Sequence, residues 1–494
     1  MSNFLVKSTL WVTLSEIIFN LSGFVIHSVV GRILGPADYG RFGLVVTLTT
    51  MVIILIGNGI PTAMAKYISE VFDTNSALVK IIKRQAIILQ SFIVGATTVI
   101  FFLSAPILSK ILGDPTLTPL FQISSLIIPA FAAASFYFSY YTGLHRFNIQ
   151  SFLKVSRSFF RIVFIITLAY FFRVKGSVIG YIIAPALVFF LAFLIDKFKV
   201  SKEIRLNPRE INSNQRDNFD WRVLANYAWQ IVIFFLAYEL LISIDLYLVK
   251  GILRDDYLAG IYNGALTVGR IPYYIFYALT VVLLPVISKS TSQNNRDKTV
   301  GIISQTLRLM LIFLVPSVIL MSVFSQSIIR VFYSSRYIDA AYPMSILVWG
   351  VGFLTIFYVL CFVMSGAGKI KKPMFISIAG LILNTLLNYF MIKKYGITGS
   401  AIATSIASAA ITLIMLREIK KDFNVMISFK TLLKTLFAGA VIFIIARMLP
   451  GDGNIFIFWT IPLFALYLLI LYAMAEIKKE DIFFLKNSLK RQPK

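Results

Sequence analysis

Gly143-Leu144-His145-Arg146-Phe147 leads into a mostly apolar run that starts at Phe152 and ends in Arg173-Val174-Lys175-Gly176-Ser177. Gly366-Ala367-Gly368-Lys369-Ile370 leads into a second such run, which starts at Phe375 and ends in Lys393-Lys394-Tyr395-Gly396-Ile397-Thr398-Gly399-Ser400. From first glycine to last, each stretch covers 33 positions, and the two lie 223 apart. Each is a glycine, a basic connection, a hydrophobic span, a basic turn, a Gly-Ser step and another span. A repeat this long marks a duplicated structural unit.

The rest of the chain sets the medium. Hydrophobic residues make up 58% of the 494, charged residues 14%, and the mean hydropathy is +0.83. A soluble domain is closer to half apolar and a quarter charged. Runs of about 20 apolar residues recur throughout, the length a helix needs to cross ~30 Å of hydrocarbon. The composition predicts an all-α polytopic membrane protein with about 14 transmembrane helices. We place them at roughly 8–31, 41–66, 85–108, 118–143, 152–172, 177–195, 223–249, 258–287, 304–325, 341–365, 374–392, 397–416, 431–449 and 455–475. Cys361, the single cysteine, cannot form a disulfide within the chain. The N-terminus reads as a retained first helix, too long for a signal-peptide core.

With these spans, connections alternate between two sides. One side collects 29 Lys and Arg and the other 12. The positive-inside rule then puts both termini in the cytoplasm. The net charge of +25 reads as topology and attraction to anionic headgroups, not as nucleic-acid binding. Duplicated membrane proteins of this kind are typically transporters with a site at the interface of the halves. The longest polar stretch lies midway between the copies. The expected organisation is therefore a six-helix bundle over 1–196, a cytoplasmic linker over 197–222, and a second bundle over 223–420. Two extra helices and a tail follow over 421–494. Six being even, a pseudo-two-fold axis along the membrane normal relates the bundles.

Charges inside the spans are the candidate functional residues. Glu16 and Asn20 share a face of helix 1; they form either a helix–helix contact or a polar cavity wall. Lys154, Arg157 and Arg161 follow one stripe of helix 5. At 1.5 Å per residue, Arg161 lies about 15 Å inward from Ser151. Either Arg161 pairs with a carboxylate of helix 1 or 7, or the stripe lines an anion-binding cavity, where the planar fork suits phosphate oxygens. At +223 stand Ser377, Gly380 and Asn384, so the basic stripe belongs to the first copy alone. Arg270 is a second deep arginine. Glu239 and Asp245 of helix 7, with Glu16, are the candidates for ion coupling. The rings Phe136, Tyr137, Phe138, Tyr140 and Tyr141 read as an interfacial belt, with sugar stacking as the alternative. The polar stretch Lys66–Arg84 reads as a segment along the headgroups.

Local signatures carry a resemblance. Leu34-Gly35-Pro36-Ala37-Asp38-Tyr39-Gly40-Arg41-Phe42 resembles the first-turn signature of the polysaccharide-transport branch of the multidrug/oligosaccharidyl-lipid/polysaccharide exporter superfamily. Gly143-Leu144-His145-Arg146-Phe147 resembles that family's connection between helices 4 and 5. Leu258-Ala259-Gly260-Ile261-Tyr262-Asn263 after Asp245 does so too, and it echoes the first turn 220 positions on. The strongest likeness is Leu383-Asn384-Thr385-Leu386-Leu387-Asn388-Tyr389 with Tyr395–Thr404. The resemblance covers residues 1 to about 420 and implies a twelve-helix core with two added helices.

It also implies a function: moving a polyprenyl-pyrophosphate-linked oligosaccharide from the cytoplasmic to the outer leaflet of the cell membrane, by alternating access. Implied partners are that substrate, membrane lipids, and polysaccharide polymerases and glycosyltransferases, with the protein itself a monomer. No cofactor, metal or nucleic acid is implied, and there is no Gly-rich nucleotide loop ending in Gly-Lys-Ser/Thr. An ion-coupled drug or metabolite antiporter of the same fold is the alternative; cationic drugs call for acidic cavity walls, and the deep charges here lean basic. A membrane glycosyltransferase or polymerase is a third reading, but the outer connections are short and Asp255-Asp256 is a weak catalytic motif.

Overall fold

The computed structural model describes residues 2–72, 76–201, 220–274, 295–450 and 455–477, with isolated positions between 276 and 291. Most of the expected linker, the far part of the expected helix 258–287 and the tail from Lys478 lie outside the described residues. Among the described residues there is no strand. Chain contacts group them into two units, 1–260 and 261–494.

In the first unit, α1 (Ser2–Leu34), α2 (Pro36–Asn58), α3 (Ile60–Val71), α4 (Ser76–Ile111), α5 (Thr118–Ser124), α6 (Ile127–Gly143), α7 (Phe147–Ile195) and α8 (Trp221–Leu253) follow in order. The helix α9 (Asp256–Gly269) begins at its end. In the second unit, α10 (Arg296–Val323), α11 (Ser325–Phe332), α12 (Ala341–Gly366), α13 (Lys371–Phe423), α14 (Phe429–Met448) and α15 (Ile455–Ala473) follow.

Ten helices among the described residues are long and apolar enough to cross a membrane. Two of these, 147–200 and 371–423, run for 54 and 53 residues. Straight, each would measure about 80 Å, far beyond a hydrocarbon core of ~30 Å. Each instead folds back on itself. The backbone leaves helical angles at Arg173 (φ 55°, ψ −135°) and at Gly396 (φ 58°, ψ −141°), positions 223 apart. Just beyond each bend a glycine meets the preceding segment. A Cβ on Gly176 would stand 1.9 Å from the Leu168 carbonyl oxygen, and one on Gly399 would stand 2.0 Å from that of Met391. Polar side chains zip the second hairpin: Ser400 Oγ donates to Asn388 Oδ1 at 2.6 Å and Thr404 Oγ1 to Asn384 Oδ1 at 3.4 Å across the bend, while Asn388 Nδ2 donates to Asn384 Oδ1 at 2.7 Å within the first arm. Asn388 and Asn384 thus each accept from a hydroxyl of the opposite arm.

The turns that open the copies match as well. Leu144, His145 and Arg146 N–H groups donate to the Tyr140, Thr142 and Tyr141 carbonyls, and Ala367, Gly368 and Lys369 repeat this at Val363, Ser365 and Met364. The duplication is therefore one of backbone geometry, down to individual bonds.

Three expectations shift. The segment around Lys66–Arg84 does not lie apart from the spans: α3 runs on through Lys66, and α4 starts at Ser76. The expected helix 41–66 breaks at Gly59, inside the weakened Gly57–Pro61 stretch. The rings Phe136, Tyr137, Tyr140 and Tyr141 are buried in a core cluster with Ile68, Leu144, Val200 and Leu224, so they pack one end of the unit rather than belt it.

Candidate functional site

The basic stripe of α7 lies against α1 in parallel register. Glu16 pairs with Lys154, Phe19 stacks under Arg157, and Gly23 faces Arg161, each partner 138 positions on. The register follows from two helices of like direction meeting along i, i+3, i+7 rows. Their far ends are tied where Arg173 donates to the Ile33 and Leu34 carbonyls at 2.7 and 3.1 Å.

Arg157 and Arg161 are 7% and 9% exposed, so neither snorkels to water. Arg161 is about 21 Å along α7 from Phe147 and about 18 Å from the bend at Arg173. Aromatic faces wrap both: the Arg157 guanidinium carbon lies 4.0 Å from the Phe131 ring centroid and 5.0 Å from that of Phe19. That of Arg161 lies 4.5 Å from Phe19 and 5.7 Å from Tyr181. A desolvated cation–ring contact is worth up to about 2 kcal/mol. Arg157 Nε, Arg161 Nε and Arg161 Nη1 have no acceptor among the described residues, at about 1–3 kcal/mol for each buried donor. The rings hold the guanidiniums in place without satisfying their N–H groups.

Of the two readings open for Arg161, the helix-1 carboxylate is already engaged, because Glu16 goes to Lys154. Among the described residues neither guanidinium forms an ion pair. Asn20, one turn beyond Glu16, is half-buried.

The other candidates lie elsewhere. Glu239, half-buried, and Asp245, fully buried, sit on α8; that helix packs on α2, α3 and α4, whereas α7 packs on α1 and α6. Asp245 Oδ1 accepts the Leu246 N–H at 2.8 Å. Arg270 belongs to the second unit, half-buried in the turn that ends α9.

The sequence reading missed an ion-pair cluster at the end of the first unit opposite the aromatic core. Arg41 Nε lies 2.9 Å from Asp256 and 3.5 Å from Asp114. Lys250, 2% exposed, pairs with Asp256 and, at 3.7 Å, with Asp114. Arg173 reaches Asp38 at 3.4 Å. Burial pushes the Asp114 carboxyl up, but two hydrogen bonds from Thr116 and the Lys250 and Arg41 charges outweigh it and hold the group below its ordinary value. The available signal is the pair of turns 220 apart, each carrying Asp near its glycine; Asp256 of the Asp255-Asp256 pair belongs to this cluster rather than to a catalytic motif.

Parallel helices zipped by an ion pair, two buried arginines without a carboxylate partner among the described residues, and a charge cluster at one end characterise this multi-span membrane protein. The chain belongs to the polysaccharide biosynthesis protein family, whose model matches residues 5–291. A second model, MatE, matches residues 231–390. The stage V sporulation protein B of Bacillus subtilis is 23% identical over 519 residues, covering 96% of both chains. A Shigella flexneri protein described as an O-antigen transporter is 22% identical over 423 residues, 81% of this chain and 94% of its own. The solved structure of lipid II flippase MurJ, inward closed conformation, shares the fold with a TM-score of 0.71 at 18% identity, over 97% of this chain and all of that one.

Proposed function

We propose that this protein is a flippase that carries a polyprenyl-pyrophosphate-linked oligosaccharide from the cytoplasmic to the outer leaflet for surface glycan synthesis, by alternating access. The observation that carries this is the pair Arg157 and Arg161, buried along the first arm of α7 with N–H groups that no acceptor among the described residues takes up. A diphosphate brings the oxygens they lack, in the planar geometry guanidinium binds. Ring faces at Phe19, Phe131 and Tyr181 fix the fork before the ligand arrives. Membership in the polysaccharide biosynthesis family and likeness to an O-antigen transporter support the same substrate class.

In this reading Lys154 and Glu16 close the stripe on one side, and Asn20 adds a polar group for sugar. Arg270 serves the second bundle, and Glu239 or Asp245 couples the cycle to an ion gradient. The bundles are 1–196 and 223–420, joined by the 197–222 linker and followed by the helices of 421–494. The protein acts as a monomer in the cytoplasmic membrane with both termini inside, is not an enzyme, and hands its cargo to polymerases and glycosyltransferases. The ion-pair cluster of Arg41, Lys250, Asp38, Asp114 and Asp256 is the outer latch of the cycle.

The test is complementation of a flippase-deficient strain alongside melting temperature in detergent. Arg161→Gln should abolish transport while melting stays within a few degrees of the parent; Arg161→Lys should restore only part, since lysine keeps the charge and loses the fork. Full complementation by Arg157→Gln/Arg161→Gln at normal expression would sink the proposal.

A further inference from the structure

Lys80, Lys83 and Arg84, with Ile87 and Ile88 one turn on, line a cleft of about 300 Å³ closed by Tyr140 and Ser201. Positions 80, 83, 84, 87 and 88 follow the spacing of one helical face. That face of α4 is cationic for one turn and apolar for the next. The centres of the two turns are about 8 Å apart at helical rise, comparable to the ~5–8 Å of headgroup region on each side of the hydrocarbon. The apolar stripe then continues through Ile88, Phe92, Val99 and Leu103, each more than half exposed.

The floor of the cleft is fixed. Lys83 bonds Asp196 at 2.5 Å and lies 4.0 Å from the Tyr140 ring centroid, and Ser201 Oγ donates to the other Asp196 oxygen at 3.2 Å. Asp196 sits on the π-helical turn 196–200 that ends the α7 hairpin, which brings this carboxylate to α4. Lys83 thus spends its charge on Asp196. Lys80 and Arg84 are exposed, and among the described residues neither has an ion-pair partner. Two free cations, a cleft and an apolar track at headgroup spacing make one amphipathic site.

We propose that this cleft binds the phosphate of an anionic phospholipid, with an acyl chain along Ile88, Phe92 and Val99. A zwitterionic headgroup fits less well, because its ammonium would meet the same two cations. The site is separate from the Arg157–Arg161 stripe and does not depend on what that stripe carries.

The experiment uses the full chain in phosphatidylcholine nanodiscs, titrated with phosphatidylglycerol and read by native mass spectrometry. Lys80→Gln/Arg84→Gln should weaken phosphatidylglycerol binding roughly 30-fold, the combined attraction of two basic side chains to an anionic surface. Lys393→Gln/Lys394→Gln, a control at the bend of α13, should leave it unchanged. Equal binding by parent and Lys80→Gln/Arg84→Gln, or equal loss in both double variants, would overturn the site. Inorganic phosphate that displaces the lipid at millimolar concentration, and stabilises the parent as much, would make it a soluble-anion site and overturn the lipid assignment. Both substituted side chains are exposed and unpaired, so the variant should melt with the parent in phosphatidylcholine alone. Arg84→Lys, which keeps the charge, should retain binding.

Discussion

Arg157 and Arg161 were legible as a stripe because three- and four-residue spacing is fixed by the helix. The position of Arg161 along its helix was legible too, because rise per residue is fixed. The partner of Glu16 was not. It depends on α1 and α7 lying parallel with residue 16 beside residue 154, and no local pattern encodes a register between helices 138 positions apart. The same limit hid Glu476, which lies beyond the last span and read as tail. Glu476 accepts from Thr431 Oγ1 at 2.7 Å and pairs with Arg308 at 3.1 Å and Lys434 at 3.2 Å. It ties the end of α15 to α14 and α10. Burial pushes its carboxyl up, but hydrogen bonds from Thr431, Lys434 and Arg308, with the Lys434 charge, outweigh that and hold it below its usual value of 4.5. A depressed native pKa gives stability that is fully present above 4.5 and is lost as pH falls through the native value. Glu476→Gln should therefore cost about 1–3 kcal/mol near pH 7, and its melting temperature should converge with the parent's below pH 4.5. Parallel melting curves for the two proteins across that range would remove Glu476 from the account.

At the scale of elements, the duplication was the readable part, and the structure carries it further than the residues do. Gly176 and Gly399 are identical in sequence and in contact. Arg173 and Gly396 differ in sequence, yet bend the chain at nearly the same angles. His145 and Gly368, also 223 apart, both take positive φ, 56° and 75°. A side chain is tolerated at these bends where it has a task, as Arg173 does at the Ile33 and Leu34 carbonyls; the strain is of order 1–3 kcal/mol. Helix limits were less readable, because Lys66, Lys80 and Arg84 look like surface although the helices continue through them. The aromatic run of α6 misled for a related reason. Composition cannot tell a ring facing lipid from a ring packed on Ile68 and Val200. Gly399→Ala tests the hairpin. Its Cβ would meet the Met391 carbonyl, which is backbone and cannot swing away. Gly399→Ala and Gly176→Ala should each lose at least about 1–3 kcal/mol and lower the melting temperature in detergent. Gly95→Ala in α4, with nothing within 4 Å, should be neutral or stabilising by up to about 1 kcal/mol. Equal melting of all three variants would mean that the hairpins are not closely packed there.

For the whole molecule the question is which way it faces. The 29 to 12 division of basic residues rests on the expected alternation of spans, and the first unit has two ends of different character. One end gathers Ile68, Val79, Leu144, Val200 and Leu224 in a common core. The opposite end gathers Arg41, Asp114, Arg173, Lys250 and Asp256 in the ion-pair cluster. The two ends differ in balance as well as in count. At the cluster, Asp38, Asp114 and Asp256 neutralise the cations; at the aromatic end, Lys80 and Arg84 remain uncompensated. By its count of Lys and Arg, the positive-inside rule predicts that the aromatic end faces the cytoplasm. The native chain suits a labelling test, because Cys361 is fully buried and gives no background. Lys110, Lys175, Arg336, Lys298 and Lys371 are all exposed. Single cysteines at Lys110, Lys175 and Arg336 should react with an impermeant thiol reagent on intact cells. Cysteines at Lys298 and Lys371 should react only after permeabilisation. The reverse pattern would put both termini outside, reverse the direction of transport and set the basic cleft of α4 among the outer headgroups. A mixed pattern within one set would break the alternation itself, and with it the relation between the two copies of the repeat.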